Sequence, residues 1–329
     1  IYGSTMTLLK HTLKRFGIEV SFVSVNDHEG MRTAIQENTR LLFCESIGNP
    51  GLDVADIPAL AEIAESAQLP LVVDATFATP VLNNPITHGA HVVVHSLTKW
   101  IGGSGNAVGG AIIDGGNFDW GVTGADGNSK YPTLAENYEP FHGINFWEEF
   151  GPSALSMRIR AESMRDFGAT LSPNNAFLLL QGLESLNLRM PQHVSNAREL
   201  VSWLAEQEMV AWVNHPDINQ AQAELLKRLF PQGAGSILTF GVKGGRDAGA
   251  AFMDALQLAS NLANVGDSRT LVLHPGSTTH SRLDADTMAA AGITEDQVRV
   301  SVGIEDIRDI KADFSRGLAA AKRLLARRT

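Results

Sequence analysis

The stretch Leu69-Pro70-Leu71-Val72-Val73-Asp74 and its later counterpart Val92-Val93-Val94-His95-Ser96-Leu97-Thr98-Lys99-Trp100-Ile101-Gly102-Gly103 decide how this chain is read. Each contains an unbroken apolar run, the pattern of a strand covered on both faces. Asp74 closes the first and Lys99 follows the second. Helical spacing over residues 57–67, opened by Asp56 and Pro58, precedes the first run. Strand and helix in alternation predict an α/β fold with a mostly parallel sheet and right-handed crossovers. In such sheets ligands bind beyond the carboxyl ends of the strands, which is where Asp74 and Lys99 fall.

Outward from this centre, residues 18–25, 41–44 and 111–113 are further strand candidates, and 31–37 reads as a short helix. Residues 117–152 are rich in Gly, Asn and aromatics and read as loops. Helices return at 154–167 and 174–188, and a long helical pattern runs from Pro191 to about Glu208. A smaller α+β unit then has strands at 210–213, 236–242, 270–274 and 298–302, and a closing helix at 307–327. The expected boundary is near residue 185, giving a larger domain, 1–185, and a smaller one, 186–329.

Composition narrows the function classes. The 329 residues are 44% hydrophobic and 19% charged, which excludes a disordered chain. A net charge of −10 without a basic run disfavours nucleic acid and anionic membranes as partners. Cys44 is the one cysteine, so an intrachain disulfide is excluded and a reducing, cytoplasmic compartment is expected. No apolar run approaches the ~18 residues of a membrane helix. The chain opens on Ile with no signal-peptide pattern, and native residues upstream are expected. No metal site is expected. HExxH and paired CxxC motifs are absent, and His91 and His95 would lie about 13 Å apart along a strand. His274 and His280 bracket Pro-Gly-Ser-Thr-Thr and read as loop histidines. Gly102–Gly110 lacks the context of a dinucleotide site, and there is no GxSxG elbow.

Asp74 has a plain reading as a helix cap or turn former. Against it, a carboxylate after a buried run needs a cation or strong hydrogen bonds. Lys99 stands out among eight lysines because it sits between an apolar strand and a glycine-rich turn. A partly desolvated lysine loses its charge and becomes a nucleophile able to form Schiff bases. Lys243, in Gly-Val-Lys-Gly-Gly, has a similar setting and is the internal rival. Ser96 and Thr98, with the glycines at 102, 103 and 105, have the composition of a phosphate cradle. Their plain reading is a polar strand-to-loop turn.

A strand-end carboxylate followed by such a lysine points to pyridoxal 5′-phosphate (PLP) chemistry. Val-Val-Asp-Ala-Thr-Phe-Ala-Thr-Pro (72–80) and Val-Val-His-Ser-Leu-Thr-Lys-Trp-Ile-Gly-Gly (93–103) resemble the Cys/Met-metabolism family of fold-type-I PLP enzymes. Asn-Val-Gly-Asp (264–267), His-Pro-Gly-Ser-Thr-Thr-His (274–280) and Val-Arg-Val-Ser-Val-Gly-Ile-Glu-Asp (298–306) are most similar to its O-acetylhomoserine sulfhydrylase group, and residues 165–184 agree. The resemblance implies that Lys99 is the Schiff-base lysine and proton shuttle. Asp74 would keep the pyridine nitrogen protonated, and Ser96 and Thr98 would bind phosphate. Tyr2 would stack on the ring and act in proton transfer. Asn49, in Glu-Ser-Ile-Gly-Asn-Pro, would bond the ring's 3′ oxygen. Arg299 would clamp the substrate carboxylate, with Asn264 beside it.

The implied reaction is γ-replacement, in which O-acetyl-L-homoserine and sulfide or methanethiol give homocysteine or methionine and acetate. The implied assembly is a homo-oligomer, a tetramer built from dimers with shared sites. A γ-lyase of the same family is the nearest alternative, and a non-catalytic PLP-fold subunit or fragment is an alternative of another class. Two departures bear on this. Ala75 stands where the family usually has Asn, and the family's N-terminal segment, which reaches a neighbouring subunit's phosphate, is not in the sequence.

Overall fold

Strands β1 (Leu42–Glu45), β2 (Leu71–Asp74) and β3 (Val92–Ser96) run parallel, and β4 (Gly110–Asp114) joins β3 antiparallel, in the order β1-β2-β3-β4. This computed structural model describes residues 1–278 and 293–327. The motif ending at His280 therefore runs outside the described residues. The register sets Glu45 opposite Asp74 and Asp74 opposite Val94, so the carboxyl ends of the parallel strands are level. Helix Ile57–Ser66 starts on Asp56, whose side chain accepts from the Ala59 amide at 3.2 Å. It buries Ile57, Leu60 and Ile63 in one cluster with Leu71, Val73 and Val93. The face of the first strand run that carries Leu71 and Val73 is thus covered, whereas Val72 on the opposite face is only half-buried.

Two strand expectations need correction. The run 111–113 lies in β4, but this strand is not covered on both faces: Ile112 is 55% exposed. It is the last strand in the sheet order, so its outer side has no neighbour within the described chain. Residues 18–25 form no strand, and Ile18, Val20 and Phe22 are exposed. An apolar, β-branched pattern specifies the faces of a strand but does not supply the partner that its N–H and C=O groups require.

The region 117–152 contains a small ribbon, β5 (Asn137–Tyr138) and β6 (Ile144–Asn145), beside a buried cluster of Trp120, Tyr131 and Phe146. A second sheet follows, made of β7 (Val210–Asn214), β8 (Ile237–Val242), β9 (Ser260–Asn261), β10 (Leu271–Leu273) and β11 (Gln297–Ser301). Its order is β7-β8-β11-β10-β9. Helices Gly245–Asp254 and Ile307–Ala326 pack on it through Phe252 and Phe314, which meet edge to face at 5.4 Å. The long helix begins at Leu186, before Pro191, and runs to Ala205. Pro191 lies near its start, where the missing N–H removes one intrahelical bond. Among the described residues no helix is long and apolar enough to cross a membrane.

Arg189 ties this helix to the turn after Lys99. Its guanidinium donates to the carbonyls of Trp100 at 2.7 Å, Ile101 at 3.1 Å and Gly182 at 2.8 Å, and to the Ser185 hydroxyl at 2.9 Å. Arg189→Ala leaves buried carbonyls unbonded and is expected to destabilise the protein by about 3 kcal/mol. Urea unfolding measures this; a change below about 0.5 kcal/mol would mean that the turn holds its shape without the arginine.

Candidate active site

Lys99 sits in the turn after β3, and its amine meets the side-chain oxygen of Asn264. Asn264 comes from the loop between β9 and β10, and Arg299 from the middle of β11. Arg299 donates to the Asn264 carbonyl at 3.4 Å. Two cations from different sheets therefore converge on one asparagine. Burial lowers the Lys99 pKa, and the nearby Arg299 charge lowers it further. Burial also lowers that of Arg299, while Tyr2 acts in the opposite sense. Arg299 forms no ion pair with a carboxylate among the described residues, although it is only partly exposed. A planar guanidinium in this state is suited to a carboxylate ligand.

The glycines of the turn have a different role from the one their composition predicts. A Cβ at Gly103 would lie 2.4 Å from the Arg189 guanidinium, and one at Gly102 would lie 3.0 Å from Leu179. Their amides already donate to the carbonyls of Lys99 and Leu97. Gly105 approaches the Asp267 carboxylate in the same way, at 2.8 Å. Close packing accounts for these glycines, and the amides of Gly102 and Gly103 are committed within the protein rather than free for a phosphate. Gly266 presses on the turn from the other side: a Cβ there would fall 2.6 Å from the Trp100 amide and 2.8 Å from Lys99 Cβ.

Asp74 ends β2 with Oδ1 accepting from the Thr76 amide at 2.9 Å. Thr76 also accepts from the Ser96 amide at 2.9 Å, which fixes the two strand ends together. Ala75 is fully buried and bonds Val94 through its backbone, so Thr76 supplies the polar bridging beside the aspartate. His95 lies buried near Asp74; burial lowers its pKa, and the Asp74 charge opposes that. The Ser96 and Thr98 hydroxyls differ. Thr98 is tied to Gly109, donating to its carbonyl at 3.3 Å and accepting from its amide at 3.1 Å. The Ser96 hydroxyl makes no hydrogen bond to a described residue.

Tyr2 and Asn49 enter through a residue that the sequence reading omits. Glu45, at the end of β1, accepts from the Tyr2 amide at 2.6 Å and from the Asn49 amide at 3.1 Å. Its signal is the one that exposes Asp74, an acid closing an apolar run, but a strand read as ending at Cys44 passes over it. Lys243 is exposed in the turn after β8. The rivalry between the two lysines therefore favours Lys99.

Three polar groups in these strand-end segments keep unused capacity within the described chain: Asp74 Oδ2, the Asn49 side-chain amide and the Ser96 hydroxyl. With the Lys99 amine they supply an acceptor for a ring N–H, a donor for a ring oxygen, a phosphate ligand and a nucleophile for an aldehyde. This donor set fits PLP. Acylation of the protein without cofactor tests the electrostatics. Lys99 is expected to reach half-maximal labelling at lower pH than a free lysine side chain, and Arg299→Gln is expected to move that pH upward. A Lys99 profile coincident with that of a free lysine side chain, read by peptide mass spectrometry, would contradict the depressed basicity.

Comparison with known proteins agrees with this chemistry. The family model described as Cys/Met metabolism PLP-dependent enzyme matches residues 1–319. The homocysteine synthase of Schizosaccharomyces pombe is 44% identical over 98% of this chain and 74% of its own length. The O-acetyl-L-homoserine sulfhydrylase 1 of Thermus thermophilus is 44% identical over 97% of this chain and 75% of its own. A solved structure from Campylobacter jejuni that contains N′-pyridoxyl-lysine-5′-monophosphate superposes with a TM-score of 0.89 at 36% identity, covering 97% of this chain and 75% of that one. The donor set around Lys99 and a match over nearly the whole sequence lead to one conclusion: the chain belongs to the Cys/Met-metabolism family of PLP-dependent enzymes.

Proposed function

We propose that this protein catalyses γ-replacement on O-acetyl-L-homoserine, exchanging acetate for sulfide or methanethiol to give homocysteine or methionine. The observation that carries the reading is the convergence of Lys99 and Arg299 on Asn264. PLP, when bound, supplies an electron sink for negative charge developing at the substrate Cα. The chain's own residues do the rest. Lys99, less basic than a free lysine because of burial and Arg299, takes and returns protons at Cα and Cβ. Arg299 holds the substrate carboxylate, and Asn264 keeps the amine and the guanidinium in register.

Asp74 is assigned to the ring nitrogen, Asn49 to the 3′ oxygen and Tyr2 to the ring face and to proton transfer. Ser96 is assigned to the phosphate. Thr98 joins it by exchanging its 3.3 Å bond to the Gly109 carbonyl for one to phosphate. The division into units of 1–185 and 186–329 belongs to the same reading, since cofactor groups come from the first sheet and substrate groups from the second. So do a cytoplasmic location and a homotetramer of dimers with shared sites.

The test is product analysis with PLP, O-acetyl-L-homoserine and sulfide. Homocysteine and acetate in equal amounts are expected. An α-keto acid with ammonia would replace this reading by a γ-lyase, and bound cofactor without turnover would make the chain a non-catalytic subunit. Lys99→Ala is expected to abolish the visible absorbance of the bound cofactor while leaving the circular dichroism unchanged; persistence of the band would shift the assignment to another lysine. Arg299→Ala is expected to raise KM for O-acetyl-L-homoserine by roughly tenfold to a hundredfold, the effect of losing a charged hydrogen-bonding pair. An unchanged KM would remove Arg299 from the carboxylate site.

A further inference from the structure

Glu45 is a buried carboxylate that the chemistry above leaves without a task. It is 9% exposed and stands directly across the parallel register from a second carboxylate, Asp74. Among the described residues it forms no ion pair with a lysine or arginine side chain. Burial raises its pKa, Asp74 adds to the effect, and the two amides oppose it. A carboxylate is an unfavourable group to put here unless its two acceptor oxygens are needed. Both are in use. Oε1 takes the amide of Tyr2, 43 positions away in sequence, and Oε2 takes the amide of Asn49. One side chain therefore fixes two backbone segments that, among the described residues, no other hydrogen bond joins to each other.

We propose that Glu45 is a positioning residue that sets Tyr2 and Asn49 in a fixed relation to the cofactor ring. This rests on the assignment of Tyr2 and Asn49 to the cofactor given above. Glutamate is suited to the task because it offers two acceptors at the right reach. Glutamine has the same shape but one acceptor, so one amide N–H would face an NH2 group. Aspartate keeps the charge but is one methylene too short to span both segments.

The experiment uses the full chain and PLP. It reads the dissociation constant of the cofactor and the pH midpoint of its visible band, with Glu45→Gln, Asn49→Ala, Tyr2→Phe and the Glu45→Gln/Asn49→Ala pair. Glu45→Gln is expected to weaken PLP binding about tenfold, as loss of one charge-assisted hydrogen bond would. It is also expected to raise the pH midpoint, because a displaced Asn49 donates less well to the ring oxygen. The double variant is expected to lose less than the sum of the two single variants, since Glu45 acts in part through Asn49 and in part through Tyr2. Shifts in Asn49→Ala and Tyr2→Phe with wild-type behaviour in Glu45→Gln would overturn the proposal and leave the site assignment standing. Wild-type behaviour in Asn49→Ala and Tyr2→Phe would overturn both. If Glu45→Gln does not fold, Glu45→Asp serves instead, with the same shifts expected and wild-type values again decisive against the proposal.

Discussion

Lys99 and Arg299 are held together by Asn264, and much of the site's arrangement follows from that enforced closeness of two cations. Like charges in a partly dry setting repel, and the repulsion is relieved most easily at the lysine, which can release its proton. Arginine keeps its charge under nearly all conditions. Burial and this contact thus make the amine less basic, and the contact sets a permanent cation beside it. Neither sheet makes this pair alone. The first sheet brings the lysine, the second brings the arginine, and the loop between β9 and β10 brings the asparagine that both touch.

The surrounding structure serves to keep that junction closed. Ser268 donates through its amide and its hydroxyl to the Gly103 carbonyl, both at 2.8 Å. Trp100, fully buried, donates from its indole to Ser236 at 3.0 Å. Arg189 grips the carbonyls of the same turn from behind. Glycines at 102, 103, 105 and 266 permit these approaches, because any side chain there would occupy the space of a neighbour. On the other side of the site, Glu45 and Asp74 stand level because a parallel register aligns strand ends. The two acids divide the work: Glu45 is saturated by amides, and Asp74 keeps one oxygen free.

Much of this was legible in the sequence. Apolar runs at 71–73 and 92–94 identify parallel strands with at least one buried face, and the residues that end or follow them mark the candidate site. The β11 arginine and the Asn264 loop are recognisable only through resemblance, because a lone arginine in a strand has no periodic signature. Residues 18–25 show why a strand pattern is insufficient: the side-chain alternation is present, but the pairing partner is not. The glycine-rich turn shows the reverse error. Glycine marks a close approach of backbone, and the approaching group here is protein, chiefly Arg189 and Asp267. The composition of a loop does not distinguish these from a phosphate. Arg189 itself lies in an unremarkable helical stretch, and its burial depends on carbonyls distant in sequence.

The central claim is that Lys99 is the residue to which the cofactor attaches. Borohydride reduction of the protein with PLP, followed by peptide mapping, locates the pyridoxyl group directly. The account predicts one modified peptide, carrying the mass increment on Lys99. A reduced adduct on Lys243 or spread over several lysines would contradict it.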